Sequence, residues 1–156
     1  MRSTAFAGTF TFLVGLLVAS CVHDVYQEHA DVIKEHSRPF YQHLGADRVT
    51  AAIGENEQIE GLAIELGEKI RTRRHQPVAD RVDRDWAMLR TAKTAAVENW
   101  LALARYLTQK QRYEQARRTY QRILDTYGDK LNRTYTEQAE LGLRDLNILS
   151  APLANP

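Results

Sequence analysis

The side chains able to do chemistry are few, and most gather near the start of the chain. His23, His29, His36 and His43 lie close together, the last three spaced by seven. Imidazole is a common transition-metal ligand, so His29, His36 and His43 raise the possibility of a metal or small-ligand carrier. Their spacing works against chelation on one helix. Seven residues displace two side chains by about 10.5 Å along the axis, while each metal–nitrogen bond is about 2 Å. Glu28 and Glu35 each precede a histidine, and sequence neighbours on a helix point apart. Only a fold-back at Pro39 could carry His43 to His36. The expectation is therefore no metal site and a half-exposed histidine stripe able to contact another helix.

Asp80, Asp83 and Asp85 alternate with Arg81 and Arg84. Acids in a first helical turn with bases after them explain this better than a catalytic carboxylate group. No nucleophile motif, phosphate loop or metalloprotease motif is present. The chain is expected not to be an enzyme; a cell-wall accessory enzyme assembled from scattered acids is the alternative. Lys69, Arg71, Arg73, Arg74 and His75 form a basic patch before Pro77. Positive charge suits a helix C-terminus; contact with anionic lipid headgroups is the functional alternative.

Composition bounds these readings. With 156 residues, 44% of them hydrophobic and 26% charged, the chain has the make-up of one folded domain, or of one domain plus a targeting segment. Lys and Arg total 21 against 20 Asp and Glu, too even a balance for a general nucleic-acid binder. The single cysteine, Cys21, excludes an intramolecular disulfide and a Cys-rich zinc site.

Helices must position whatever site exists, for no stretch after Cys21 alternates like a strand. The pattern predicts helices over Asp24–Ser37, stopped by Pro39, and over Ala46–Ile53, stopped by Gly54. A third covers Asn56–Arg74, with Ile59, Leu62, Ala63, Leu66 and Ile70 on one face. Helix resumes from Ala79 to Leu107, opening with the stripe Val82, Trp86 and Leu89, and a turn is possible near Thr91–Ala95. Tyr113–Tyr127 and Arg133–Leu149 follow, the latter with Ala139, Leu143 and Leu146 on one face. Residues 1–20, 21–54, 55–149 and 150–156 divide into a signal peptide, an N-terminal part with leading helices, a helical domain and a disordered tail.

Arg2 precedes an uncharged run whose apolar part, Phe10–Ala19, is shorter than the roughly 20 residues of a membrane span. Val18-Ala19-Ser20-Cys21 closes it and resembles a bacterial lipobox, with Val where Leu is commoner. The resemblance implies a diacylglyceryl group on the Cys21 thiol, cleavage before Cys21, and acylation of the new amino group. Multiple acyl chains anchor stably where one does not. Val22, a non-Asp residue, implies sorting to the outer membrane, with the anchored domain facing the periplasm.

Val97–Lys130 spans 34 positions, the length of a tetratricopeptide repeat, which it resembles. Trp100, Leu103, Ala104 and Leu107 fall on that family's first-helix positions, and Ala116, Tyr120 and Ile123 on its second-helix positions. Small Ala104 and Ala116 would let the helices approach, with the large residues filling around them. Gly128 stands where the family has Pro. Ala63–Ala96 reads as a worn earlier copy, with Val82, Trp86 and Leu89 repeating Ala116, Tyr120 and Ile123. The resemblance implies an all-α array of antiparallel hairpins with a C-terminal capping helix. It also implies a peptide-binding groove holding Glu98, Leu101, Arg105, Thr108 and Gln109, where Arg105 could grip a carboxylate.

Together these readings lead to the expectation of a lipoprotein adapter, assembly factor or pilotin-like helper at the bacterial outer membrane. Its partner would be an envelope protein or peptide, with self-association as a further possibility. No cofactor is expected beyond the covalent lipid on Cys21, and no nucleic acid.

Overall fold

The computed structural model describes residues 25–73, 79–129 and 132–150. Among these the chain is all helical: α1 (Val25–Gly45), α2 (Val49–Arg73), α3 (Ala79–Gln109), α4 (Tyr113–Thr126) and α5 (Arg133–Leu149). The predicted signal segment and Cys21 lie outside the described residues.

Three-residue connections join α1 to α2 and α3 to α4, too short for anything but antiparallel hairpins. Each helix packs on the next, and the odd-numbered helices also touch one another, α1 on α3 and α3 on α5. Cross-helix bonds fix their directions. Tyr106 donates to Asp47 at 2.9 Å near the C-terminal ends of α3 and α1. Tyr135 donates to Glu98 at 2.9 Å, and Arg105 to Gln138 at 2.5 Å. Contacts that ascend along both helices mean that the odd helices run parallel.

The amphipathic stripes explain the core. Ile59, Leu62, Ala63, Leu66 and Ile70 of α2 are all buried, as their spacing predicts. Leu89, Ala92, Ala96, Trp100, Leu103 and Leu107 form one unbroken buried line down α3. That continuity is why no turn forms at Thr91–Ala95. The stripe begins differently from expectation: Trp86 is 40% exposed, while Asp85 is buried. In α5, Ala139 and Leu146 are buried and Leu143 is half-buried.

Two expected stops do not stop. Pro39 lies inside α1, where an interior proline costs about 3 kcal/mol. Continuing the helix sinks Phe40 and Leu44 into the core at 0% and 6% exposure, each worth about 1.5–3 kcal/mol, which outweighs the cost. Gly54 lies inside α2 between the fully buried Ala52 and Ile59. The boundary drawn at residue 54 therefore cuts a helix.

The earlier hairpin copy is not Ala63–Ala96, because α3 passes through that stretch without a turn. It is α1–α2. Arg48 N–H donates to the His43 carbonyl at 2.8 Å, and Ala52 N–H to the Arg48 carbonyl at 3.0 Å. Arg112 N–H donates to the Leu107 carbonyl at 2.9 Å, and Ala116 N–H to the Arg112 carbonyl at 3.0 Å. Asp47 and Gln111, at matching places, share the left-handed conformation with φ of 55° and 58°. The step between the two hairpins is 64 residues, not 34, because α2 and α3 run to 25 and 31 residues.

Candidate functional site

The histidine stripe faces α2. His36 Nδ1 lies 2.7 Å from Glu55 Oε2, and His43 Nε2 lies 3.7 Å from Glu55 Oε1. One carboxylate thus spans two imidazoles that the helix alone keeps two turns apart. The three side chains are about three-quarters buried. His29, 8% exposed, borders a shallow cleft between α1 and α2 with Glu28, Gln58, Gly61 and Glu65. Among the described residues no group of three His, Cys, Asp or Glu is placed to hold a metal ion.

A second cluster joins three helices through Glu60 of α2. Its Oε1 accepts from Trp100 Nε1 at 2.8 Å and from the Tyr127 hydroxyl at 2.7 Å; Oε2 accepts from Arg122 at 2.6 Å. The Arg122 guanidinium also covers the Trp100 ring at 4.3 Å, a cation–π contact. Burial first, then the bond to Glu60 and its charge, push the Tyr127 hydroxyl far above its ordinary value. Three donors on one carboxylate brace α2 against α3 and the end of α4. Beside it, Asn99 donates to Asn56 at 2.9 Å and Asn56 to the Ala96 carbonyl at 3.0 Å, so Asn56 is satisfied on both sides by α3.

The residues expected to pack the α3–α4 hairpin do so: Trp100, Leu103, Ala104, Ala116, Tyr120 and Ile123 are all buried. Tyr120 lies flat on Gly142 of α5, where any Cβ would overlap its ring. That close approach makes glycine necessary. The packing phase of α5 departs from the 34-residue register, since Thr134 and Glu137 are exposed.

The expected groove is only partly assembled. Glu98 and Arg105 are exposed and reach α5 through Tyr135 and Gln138. Gln109 is exposed at the end of α3. Leu101 is 3% exposed, so it belongs to the core instead of lining a groove. The Thr108 hydroxyl donates to the Ala104 carbonyl at 2.9 Å. Toward the α3 N-terminus the same face continues as a hollow of small residues, Ala87, Thr91, Thr94 and Ala95, between Arg90 and Glu98. Tyr41 of α1 is 52% exposed, and burial with the Glu98 charge raises its hydroxyl pKa.

Of the charged motifs, Asp85 is not a solvated helix-start acid. It is 1% exposed and 3.7 Å from Lys69. Arg71 pairs with Glu68; the Arg73 side chain, Arg74 and His75 lie outside the described residues. No described helix is long and apolar enough to cross a membrane. Sequence reasoning missed Glu55, Glu60, Tyr135 and Gly142. Nothing in their local pattern separates a bracing carboxylate from a surface one, or a packed glycine from a tolerated one. In comparisons with known proteins, no family model, no curated protein and no solved structure matches the chain.

Proposed function

We propose that the chain is a lipid-anchored helical adapter of the bacterial outer membrane, tethered through Cys21, that binds an envelope protein segment with a tetratricopeptide-like array. The observation that carries this reading is the ribbon of parallel odd helices α1, α3 and α5. Its exposed face sets Arg90 and Glu98 around a floor of Ala and Thr, with Arg105 two turns further along α3. Small floor residues let a bound backbone approach, and the flanking charges select its side chains. The lipobox-like Val18-Ala19-Ser20-Cys21 supports the tether. Confinement to a membrane raises the effective concentration of a neighbouring partner, so modest affinity suffices.

Crosslinking from intact envelopes with a C-terminal tag tests this reading. Wild type is expected to enrich one discrete partner that an Arg105→Glu variant of equal abundance loses. Fatty-acid labelling tests the tether separately and is expected to vanish in Cys21→Ser. A partner retained in full by Arg105→Glu removes the α3 face from the account.

A further inference from the structure

Helix α5 carries an exposed apolar line. Leu141 and Ile148 are 52% and 75% exposed. Seven residues apart, they lie nearly in register along the axis, on the side roughly opposite the buried Ala139 and Leu146. Glu137 and Arg144 flank Leu141 on one side of this line, one turn before and after it, and both are exposed. Gln138 and Asp145 flank it on the other. Thr134 extends the line toward the N-terminal end.

We propose that this face pairs with a second copy of the chain, α5 against α5 antiparallel, about a two-fold axis at Leu141. Leu141 then meets Leu141 of the second copy, and Ile148 covers Thr134 of the second copy. Glu137 falls beside Arg144 of the second copy, and symmetry makes this ion pair twice. Asp145 falls beside Gln138 of the second copy, so no like charges meet. The charges also mark the direction. A parallel pair would set Glu137 beside Gln138 and Arg144 beside Asp145 of the second copy, so the Glu137–Arg144 pair belongs to the antiparallel arrangement alone, and only there does exchanging both charges restore it. One helix pair is smaller than a standard interface of about 1,600 Å², so the dimer is weak and concentration-dependent.

Sedimentation of the full chain in mild detergent, over a range of concentrations, tests the proposal. Wild type is expected to shift from monomer to dimer. Glu137→Arg and Arg144→Glu are each expected to weaken association at least tenfold, and the two together to restore it. Crosslinking fixes the geometry: Leu141→Cys is expected to form disulfide dimers above the wild-type Cys21 baseline, whereas Thr134→Cys alone does not. All four positions are exposed, and thermal unfolding of each variant checks that the fold is kept. A monomer at every concentration, association unmoved by the charge exchanges, or self-crosslinking through position 134 overturns the proposal.

Discussion

In α1–α2 the positions facing the hairpin seam hold His36, His43 and Glu55. In α3–α4, 64 residues later, they hold Trp100, Leu107 and Thr119. The turns share four backbone bonds, yet one seam is polar and partly open while the other is mostly apolar and closed. Neighbours account for the difference. The α3–α4 hairpin is packed by α2 on one side and α5 on the other, so its seam is dry. No described helix precedes α1, and water reaches the His36, His43 and Glu55 side chains at 26%, 22% and 25% exposure. A partly solvated seam tolerates polar groups that a dry one cannot.

Truncating the matched positions gives the largest contrast. Trp100→Ala is expected to cost about 3–5 kcal/mol in urea denaturation, because it empties the centre of the closed seam and strips Glu60 and Arg122 of a partner. His36→Ala is expected to cost about 1 kcal/mol or less, the worth of a partly solvated pair. Similar losses at the two sites would end the distinction between open and closed seams.

The Glu60 brace comes next. Glu60→Ala removes the acceptor of Trp100, Tyr127 and Arg122 together, at an expected cost of about 2–3 kcal/mol. Glu55→Ala in the open seam should cost well under half of that. The brace also predicts an alkaline limit. The folded-state pKa of Tyr127 lies above its unfolded value near 10. Stability is thus whole below pH 10 and falls as pH rises past it, when the unfolded phenol ionises first. Thermal melts from pH 8 to 11 should show this fall, and Tyr127→Phe should make it shallower.

The closed seam was legible in sequence because its residues repeat apolar types at helical spacing. Trp100, Leu103, Ala116, Tyr120 and Ile123 announce themselves, and the predicted spans of α4 and α5 agree with the observed ones to a residue. The open seam was hidden for three physical reasons. Pro39 and Gly54 signal breaks that burial of Phe40, Leu44, Ala52 and Ile59 overrides. The matching turns are separated by 64 residues, so a comparison at 34 misses them. Histidine and glutamate at packing positions look like surface residues until α2 brings Glu55 opposite both imidazoles. The groove was partly misread because Leu101 turns inward with the α3 stripe.

Two glycines sharpen the point that packing, not residue type, decides cost. Gly142→Ala drives a methyl group into the Tyr120 ring, and overpacking of this kind costs about 1–3 kcal/mol. A Cβ at Gly61 meets nothing, so Gly61→Ala should stabilise by up to about 1 kcal/mol through helix propensity alone. Tyr120→Leu should recover part of the Gly142→Ala loss, since it shrinks the side chain that collides. If both alanines destabilise equally, α5 does not sit on α4 through this contact.

The smallest effect lies in the two turns themselves. Asp47 and Gln111 both hold φ near +55° to +58°, a conformation that costs a non-glycine residue about 1 kcal/mol. Gln111 lies exposed, and relief of backbone strain should dominate there. Gln111→Gly should therefore raise stability, by less than about 1 kcal/mol once the unfolded chain's added freedom is counted. At Asp47 the same change deletes a carboxylate that accepts from the Tyr106 hydroxyl at 2.9 Å and from Arg112 at 3.0 Å. Those bonds tie the first turn to the second hairpin. Asp47→Gly should thus be neutral or destabilising despite identical strain relief, and Asp47→Asn should fall between the two. Opposite signs at matched dihedral angles would locate the link between the hairpins in the Asp47 side chain; equal gains at both turns would leave that link without energetic weight.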